Sequence, residues 1–198
     1  MIVAEATSMR EKILDSATRL FVARGYNGIS MREIAEANGV SKAALYYHFK
    51  DKEALLLAIL QDYLLEMDVL LDASQARAET ARGQLHEVVK MIFSQPVERR
   101  AIIRLGSQEI SNLSPQDQAA FGHLYHEKFI GKLAELLQRG MERGEFRPMD
   151  PMVTTWLLLG MMYPFFYPAQ ERSAAPVEQT TALLLDVFLN GVAADAHE

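Results

Sequence analysis

A short segment between residues 42 and 48 concentrates side chains that are suited to contact with nucleic acid. Its outward-facing members are Lys42, Ala43, Ala44, Tyr46, Tyr47 and His48. The lysine supplies positive charge, the alanines allow close approach, and the aromatic rings carry hydrogen-bonding groups on stiff frames. Such a set fits the major groove of DNA, where base edges are read.

A second group of side chains offers the ligand types of a metal site or a hydrolytic centre. Its members are His86, Glu87, Glu109, His123, His126 and Glu127. No glycine-rich phosphate loop, nucleophile elbow or zinc-protease motif accompanies them. We therefore interpret the histidines as neutral surface groups or as one polar contact in a pocket. The sequence predicts no metal, no cofactor and no enzymatic activity.

The nucleic-acid-binding segment requires a frame, and the surrounding residues predict a helix-turn-helix. Ser30 and Glu33 have the spacing of a capping box, Asn38-Gly39 is a natural turn, and Ser41 caps a second short helix. The residues expected to pack these helices together are Ile34, Ala35, Val40, Leu45 and Phe49. An ordinary helical bundle with two surface tyrosines is the alternative interpretation of this pattern.

The rest of the chain also shows helical periodicity, and no alternating strand is apparent. We predict an all-α fold with about nine helices. The expected ranges are 9–24, 31–37, 42–48, 52–73, 79–93, 97–110, 115–143, 151–168 and 177–194. Residues 1–52 would form the DNA-binding domain and residues 53–198 a helical body. Pro164 lacks an amide hydrogen, so we expect the eighth helix to kink there.

Composition fits a soluble globular protein of 198 residues, with 49% hydrophobic and 23% charged residues. The absence of cysteine excludes disulfides and thiol catalysis. The first residues lack the pattern of a secretory signal, and no stretch is apolar enough for a membrane span, so we expect a cytoplasmic protein. The net charge of −6 is uneven: residues 1–52 carry eight Lys/Arg against six Asp/Glu.

The sequence from Ser30 to Leu56 closely resembles the N-terminal signature of the TetR family of transcriptional regulators. The matching elements are the Ser30 cap, Ile34-Ala35, Gly39-Val40-Ser41, Leu45-Tyr46-x-His48-Phe49 and Lys52-Glu53. The resemblance covers about residues 10–60. Ala43 and Asn38 depart from the family pattern, which commonly has glycine and alanine there.

The resemblance implies a role for each matching residue. It places Ser30, Tyr46, His48 and Lys52 on phosphates, with Arg32 as a further phosphate contact. It makes Lys42, Ala43, Ala44 and Tyr47 the expected readers of base edges. Ser41, the cap of the second helix, completes the expected DNA-binding set. A solvent-exposed arginine on a supporting helix is the alternative for Arg32.

The family plan also implies that the body binds a small effector, here an apolar or aromatic molecule that releases a repressor from palindromic operator DNA. The expected ligand-binding residues are Met91, Phe93, Ile103, Phe121, Tyr125, Phe129, Met161, Met162, Phe165 and Phe166. Methionine and aromatic side chains adapt to large apolar ligands. Each of them taken singly is also an ordinary core residue.

The same plan implies a homodimer formed by the last two helices. The expected interface residues are Trp156, Gly160, Tyr163, Leu183, Leu184, Val187 and Phe188. A protein-interaction module that has kept the fold but lost DNA binding is a further alternative. The intact set of Lys42, Tyr46, Tyr47, His48 and Lys52 argues against it.

Overall fold

The computed structural model describes residues 8–166 and 177–192, and the described elements are all helical. The α-helices are α1 (Met9–Arg24), α2 (Met31–Ala37), α3 (Lys42–His48), α4 (Lys52–Arg77), α5 (Ala81–Ser94), α6 (Val97–Glu109), α7 (Pro115–Tyr125), α8 (Gly131–Glu142), α9 (Pro151–Met162) and α10 (Val177–Val192). Short 3-10 helices span Ile110–Asn112 and Tyr163–Phe166. No helix in these two ranges is long and apolar enough to cross a membrane.

Side-chain caps fix the starts of the first helices. Ser8 and Ser30 each form a complete capping box, and Ser41 accepts from the backbone N–H of Ala44 at 3.1 Å. Gly39 adopts a φ of +64°, which permits the turn between α2 and α3. The predicted ranges of the first three helices are confirmed residue for residue.

The predicted seventh helix is continuous but not uniform. Between α7 and α8, His126–Ile130 form a π-helical segment, and the N–H of Gly131 donates to the carbonyl of His126. A π segment accommodates an extra residue in the helix and is frequent at functional sites. Periodicity over the 115–143 range does not reveal this irregularity.

Pro164 changes the geometry of the predicted eighth helix. The α-helix ends at Met162 and continues as a 3-10 turn over Tyr163–Phe166. Proline has no N–H to donate, so the α-helical hydrogen bond that it interrupts cannot form. Residues 167 and 168 of the expected helix lie outside the described residues.

Helix α4 joins the two parts of the molecule. It contacts α1 at the N-terminal end and packs against α5, α6 and α7 in the body. Its inner side chains are buried, and the apolar core extends without a break from Ile13 in α1 to Leu189 in α10. The boundary expected at residues 52 and 53 lies in the first turn of α4.

Gly140 in α8 provides a test of core packing. A methyl group at Gly140 would lie 2.3 Å from the ring of Phe146, which is buried, and 2.9 Å from Ala81. Alanine normally stabilises a helix relative to glycine by about 0.5–1 kcal/mol, but overpacking a core costs about 1–3 kcal/mol. We expect Gly140→Ala to lower the thermal unfolding midpoint by a few degrees.

The matched control is Gly122→Ala, because a methyl group there meets no atom within 4 Å. This helical glycine should tolerate alanine, with an unfolding midpoint equal to or above that of the wild type. Both variants are compared at one protein concentration. A stabilised Gly140→Ala variant would contradict the described packing.

Candidate DNA interface and ligand cavity

Helix α3 presents one apolar face inward and a mixed polar and aromatic face outward. Leu45 and Phe49 are buried against the neighbouring helices. On the opposite side, Tyr47 is 86% exposed and Tyr46 is about half as exposed. Exposing two large aromatic rings on one short helix leaves apolar surface and phenol groups available to a partner.

The exposed side chains of α3 are ordered by contacts with one another. The ammonium of Lys42 lies 5.6 Å from the ring centre of Tyr46. The rings of Tyr47 and His48 pack edge to face at 5.2 Å. These contacts keep the polar ends near the helix surface, where they can reach a groove.

Helix α2 supports α3 and carries its own charge network. Hydrogen bonds from Ser30 and then from Arg24 hold the pKa of Glu33 at about 2, so this carboxylate is ionised. Arg32 donates to Glu36 at 2.7 Å. This pair uses only the Nε–H of an exposed guanidinium, so the remaining N–H groups of Arg32 are available to a phosphate.

Lys52 at the start of α4 is held by backbone carbonyls and an aromatic ring. Its ammonium donates to the carbonyls of Tyr26 at 2.8 Å and Ile29 at 3.0 Å, and lies 4.1 Å from the ring centre of Tyr26. Burial lowers the pKa of Lys52, opposed by Glu109 and Glu33. In this structure Lys52 therefore ties the start of α4 to the segment between α1 and α2, and one of its three N–H donors remains for a phosphate.

The body encloses an apolar cavity of about 440 Å³. Its walls come from α4, α5, α6, α7, the π segment, α9 and the 3-10 turn that follows α9. The lining residues are Leu60, Tyr63, Leu64, Met67, Ile92, Ile102, Ile103, Gly106, Ser107, Ile110, Phe121, Gly122, Tyr125, Phe129, Trp156, Leu159, Gly160, Met162, Tyr163 and Phe166. Its size and apolar lining are those of a site for a small organic molecule.

Few polar groups reach this cavity. The hydroxyls of Ser107 and Tyr163 are 2.6 Å apart. Tyr63 donates to Gln95 through a long contact of 3.4 Å. Burial raises the pKa of Tyr63, and burial raises that of Tyr125 to about 12, so both phenols stay protonated at neutral pH.

Known proteins share these features. Residues 13–59 match the family described as "Bacterial regulatory proteins, tetR family". Residues 78–165 match the "Tetracyclin repressor-like, C-terminal domain". The helix-turn-helix and the body that contains the cavity thus match the two domains of TetR-type regulators.

The chain belongs to the TetR family of bacterial transcriptional regulators.

Its relatives in this family carry regulatory names. The repressor KstR2 of Mycolicibacterium smegmatis is 28% identical over 96% of this chain and 93% of its own length. The repressor AcnR of Corynebacterium glutamicum is 27% identical over 74% of this chain and 73% of its own. The function as a DNA-binding transcriptional regulator, rather than an enzyme, is thereby confirmed.

Solved TetR-family structures have the same fold along nearly the whole chain. PfmR from Thermus thermophilus superposes with a TM-score of 0.79 at 25% identity, covering 94% of this chain and 100% of that one. AibR, solved with isovaleryl coenzyme A and operator DNA, gives 0.75 at 26% identity, covering 91% and 97%. The predicted all-α TetR architecture is confirmed.

The structure brings six of the ten expected ligand-binding residues to the cavity. These are Ile103, Phe121, Tyr125, Phe129, Met162 and Phe166. The other four, Met91, Phe93, Met161 and Phe165, do not line it. Phe93 lies behind the wall, with its ring 5.8 Å from that of Phe166.

Sequence reasoning missed the contribution of α4 to the cavity. Leu60, Tyr63, Leu64 and Met67 all line it, and none of them is among the ligand-binding residues expected from the sequence. The signal was the tyrosine, since a phenol within an otherwise apolar helix face needs a polar partner or a cavity. Lys50 was not considered from the sequence: it lies two residues after the end of α3, and its side chain is 90% exposed.

The residues expected at a dimer interface separate into three groups. Leu183 and Val187 are exposed on α10, whereas Leu184 and Phe188 are buried within the subunit. Trp156, Gly160 and Tyr163 line the cavity, although Trp156 is also half exposed. The exposed apolar face that remains consists of Val153, Trp156, Leu157, Leu183 and Val187, which we call the α9–α10 face.

Proposed function

We propose that this TetR-family regulator is a homodimeric repressor that a small apolar effector releases from palindromic operator DNA. The observation that carries the proposal is the apolar cavity of about 440 Å³, because its walls include the helices that contact the DNA-binding domain. If one conformation of the regulator binds the effector more tightly than another, the effector shifts the protein towards that conformation. AibR, whose structure contains both isovaleryl coenzyme A and operator DNA, is a structural neighbour that supports this view.

The DNA contacts are divided between base edges and phosphates. Lys42, Ala43, Ala44 and Tyr47 extend from the exposed side of α3 and are proposed to read bases. The residues proposed to orient the domain on phosphates are Ser30, Arg32, Ser41, Tyr46 and His48. To these we add Lys50, because its exposed ammonium lies beside the end of α3. Lys52 is proposed to act through the position of α4.

Dimerisation is proposed to cover the α9–α10 face. Five large apolar side chains exposed on two neighbouring helices form a patch of the kind that subunits bury. A twofold axis through this face would present two copies of α3 to one side of a DNA duplex. Their half-sites are then expected to be about 34 Å apart, or a multiple of that distance.

Two helices connect the cavity to the DNA-binding domain. Helix α4 lines the cavity with Leu60 and Tyr63 and begins at Lys52. Helix α6 lines it with Gly106 and ends at Glu109, whose carboxylate accepts from the N–H of Tyr26 at 3.1 Å. A ligand that shifts either helix would therefore move α1 and the attached recognition helix.

The salt dependence of operator binding tests the electrostatic part of this proposal. Neutralising two or three phosphates per subunit releases counterions, so the slope of log affinity against log salt should be about −4 to −5 for a dimer. The measurement is a titration of labelled operator DNA over a range of potassium chloride concentrations. A slope near zero would show that phosphates are not neutralised.

A further inference from the structure

The charge distribution at one end of the cavity distinguishes two neighbouring arginines of α6. Arg99 forms an ion pair with Glu66 at 2.6 Å, so its charge is balanced within the protein. The side chain of Arg100 has no hydrogen bond or ion pair among residues 8–166 and 177–192, and its Nε is buried without a partner. A buried guanidinium nitrogen without an acceptor is costly, and a bound acceptor would remove that cost.

Arg100 lies next to the cavity wall. It precedes the lining residues Ile103 and Ser107 by three and seven positions, which places all three on one side of α6. Its guanidinium lies 5.8 Å from the ring centre of Phe93. Phe93 in turn packs on Phe166, which lines the cavity. Arg100 does not itself line the cavity, so a carboxylate in the cavity reaches its guanidinium only if the rings of Phe93 and Phe166 move aside.

Two phenols lie on the cavity side of the same region. Tyr63 and Tyr125 both line the cavity. Tyr63 lies one turn before Glu66 on α4, and Glu66 pairs with Arg99, the neighbour of Arg100, so this part of α6 lies beside Tyr63. The hydroxyl of Tyr125 has no hydrogen-bond partner within the described part of the chain, and its ring packs between Phe121 and Phe129. Protonated phenols donate hydrogen bonds to oxygen acceptors, and a guanidinium binds a carboxylate with two parallel hydrogen bonds.

We infer that the effector is an amphipathic carboxylic acid, with its apolar chain in the cavity and its carboxylate at the end formed by Tyr63, Tyr125 and Arg100. This inference rests on the proposed sensor function and specifies its ligand class. The apolar walls bind the chain by removing it from water. The Arg100 guanidinium and the two phenols replace the water that hydrates the carboxylate. A neutral ester or alcohol carries no charge and gains less from these groups.

The test compares octanoate, decanoate, dodecanoate and hexadecanoate with their methyl esters and their coenzyme A thioesters. Binding is followed by quenching of Trp156, the single tryptophan of the chain, which lines the cavity. The tightest carboxylate should bind about tenfold or more better than its ester, as expected for charge-assisted hydrogen bonds. In Arg100→Met this preference should disappear while ester binding is unchanged.

Arg82→Met is the charge-matched control, because Arg82 is exposed on α5 and does not line the cavity; it should keep the preference. Arg100→Lys should keep part of it. Equal binding of acid and ester by the wild type, binding of thioesters alone, or no binding of any carboxylate would each overturn the inference. In that case, operator release by neutral apolar compounds would still support the sensor function. If neutral compounds also failed to release the operator, both the inferred ligand class and the sensor function would be refuted.

Discussion

Replacing Val187 by glutamate is expected to convert the regulator into a monomer that no longer holds a full operator. Val187 is 55% exposed on α10, so the substitution does not disturb the core of the subunit. A buried unpaired charge costs about 3–5 kcal/mol, and twofold symmetry places two of them in one interface. The dissociation constant of the dimer should therefore be at least about a thousandfold higher than that of the wild type.

The measurement combines sedimentation equilibrium with operator titration. Val69→Glu is the matched control, because Val69 is an equally apolar and exposed residue on α4, outside the α9–α10 face. The control should remain dimeric and bind operator as the wild type does. A Val187→Glu protein that stays dimeric, or a monomer that still binds a full operator tightly, would exclude the proposed interface.

Filling the cavity is expected to separate sensing from DNA binding. Ile103 lines the cavity and is only partly buried, so Ile103→Trp would place an indole ring in the space of about 440 Å³. Charged substitutions at Phe129 or Met162 are less suitable, because both side chains are buried in the core. The variant should bind operator within about twofold of the wild type and lose its response to effectors, which is typically about 5–150-fold.

The readout is operator affinity with and without a panel of alkanols, aromatic hydrocarbons, and fatty acids with their esters. Val69→Trp controls for adding an indole at an exposed apolar position away from the cavity lining. It should respond as the wild type does. A full response from Ile103→Trp would place the effector elsewhere, and a wild type that responds to no compound would refute the sensor proposal.

The sequence predicted the DNA-binding helices most accurately because local interactions fix their ends. Ser30, Ser41 and Gly39 each act within a few residues of their own position, through capping hydrogen bonds and a positive φ. Their effects can therefore be identified without knowledge of the tertiary structure. The TetR signature added the functional assignment that caps alone could not supply.

Tertiary contacts determined what the sequence did not predict. The position of Lys52 depends on the carbonyls of Tyr26 and Ile29, which the turn after α1 brings to it. On α10, two adjacent leucines differ in burial, with Leu183 exposed and Leu184 buried. A helix that is apolar on both faces carries no pattern that separates the core side from a partner side.

The most direct test of the regulator's function is selection of bound DNA from a random pool by the full-length protein. Symmetric α3 helices predict enrichment of an inverted repeat whose half-site centres are about 34 Å apart or a multiple of that distance. Substitution of Lys42 should change the selected half-site, because its ammonium lies on the exposed side of α3. Recovery of no enriched sequence, or of one without twofold symmetry, would contradict the account of a dimeric operator-binding repressor.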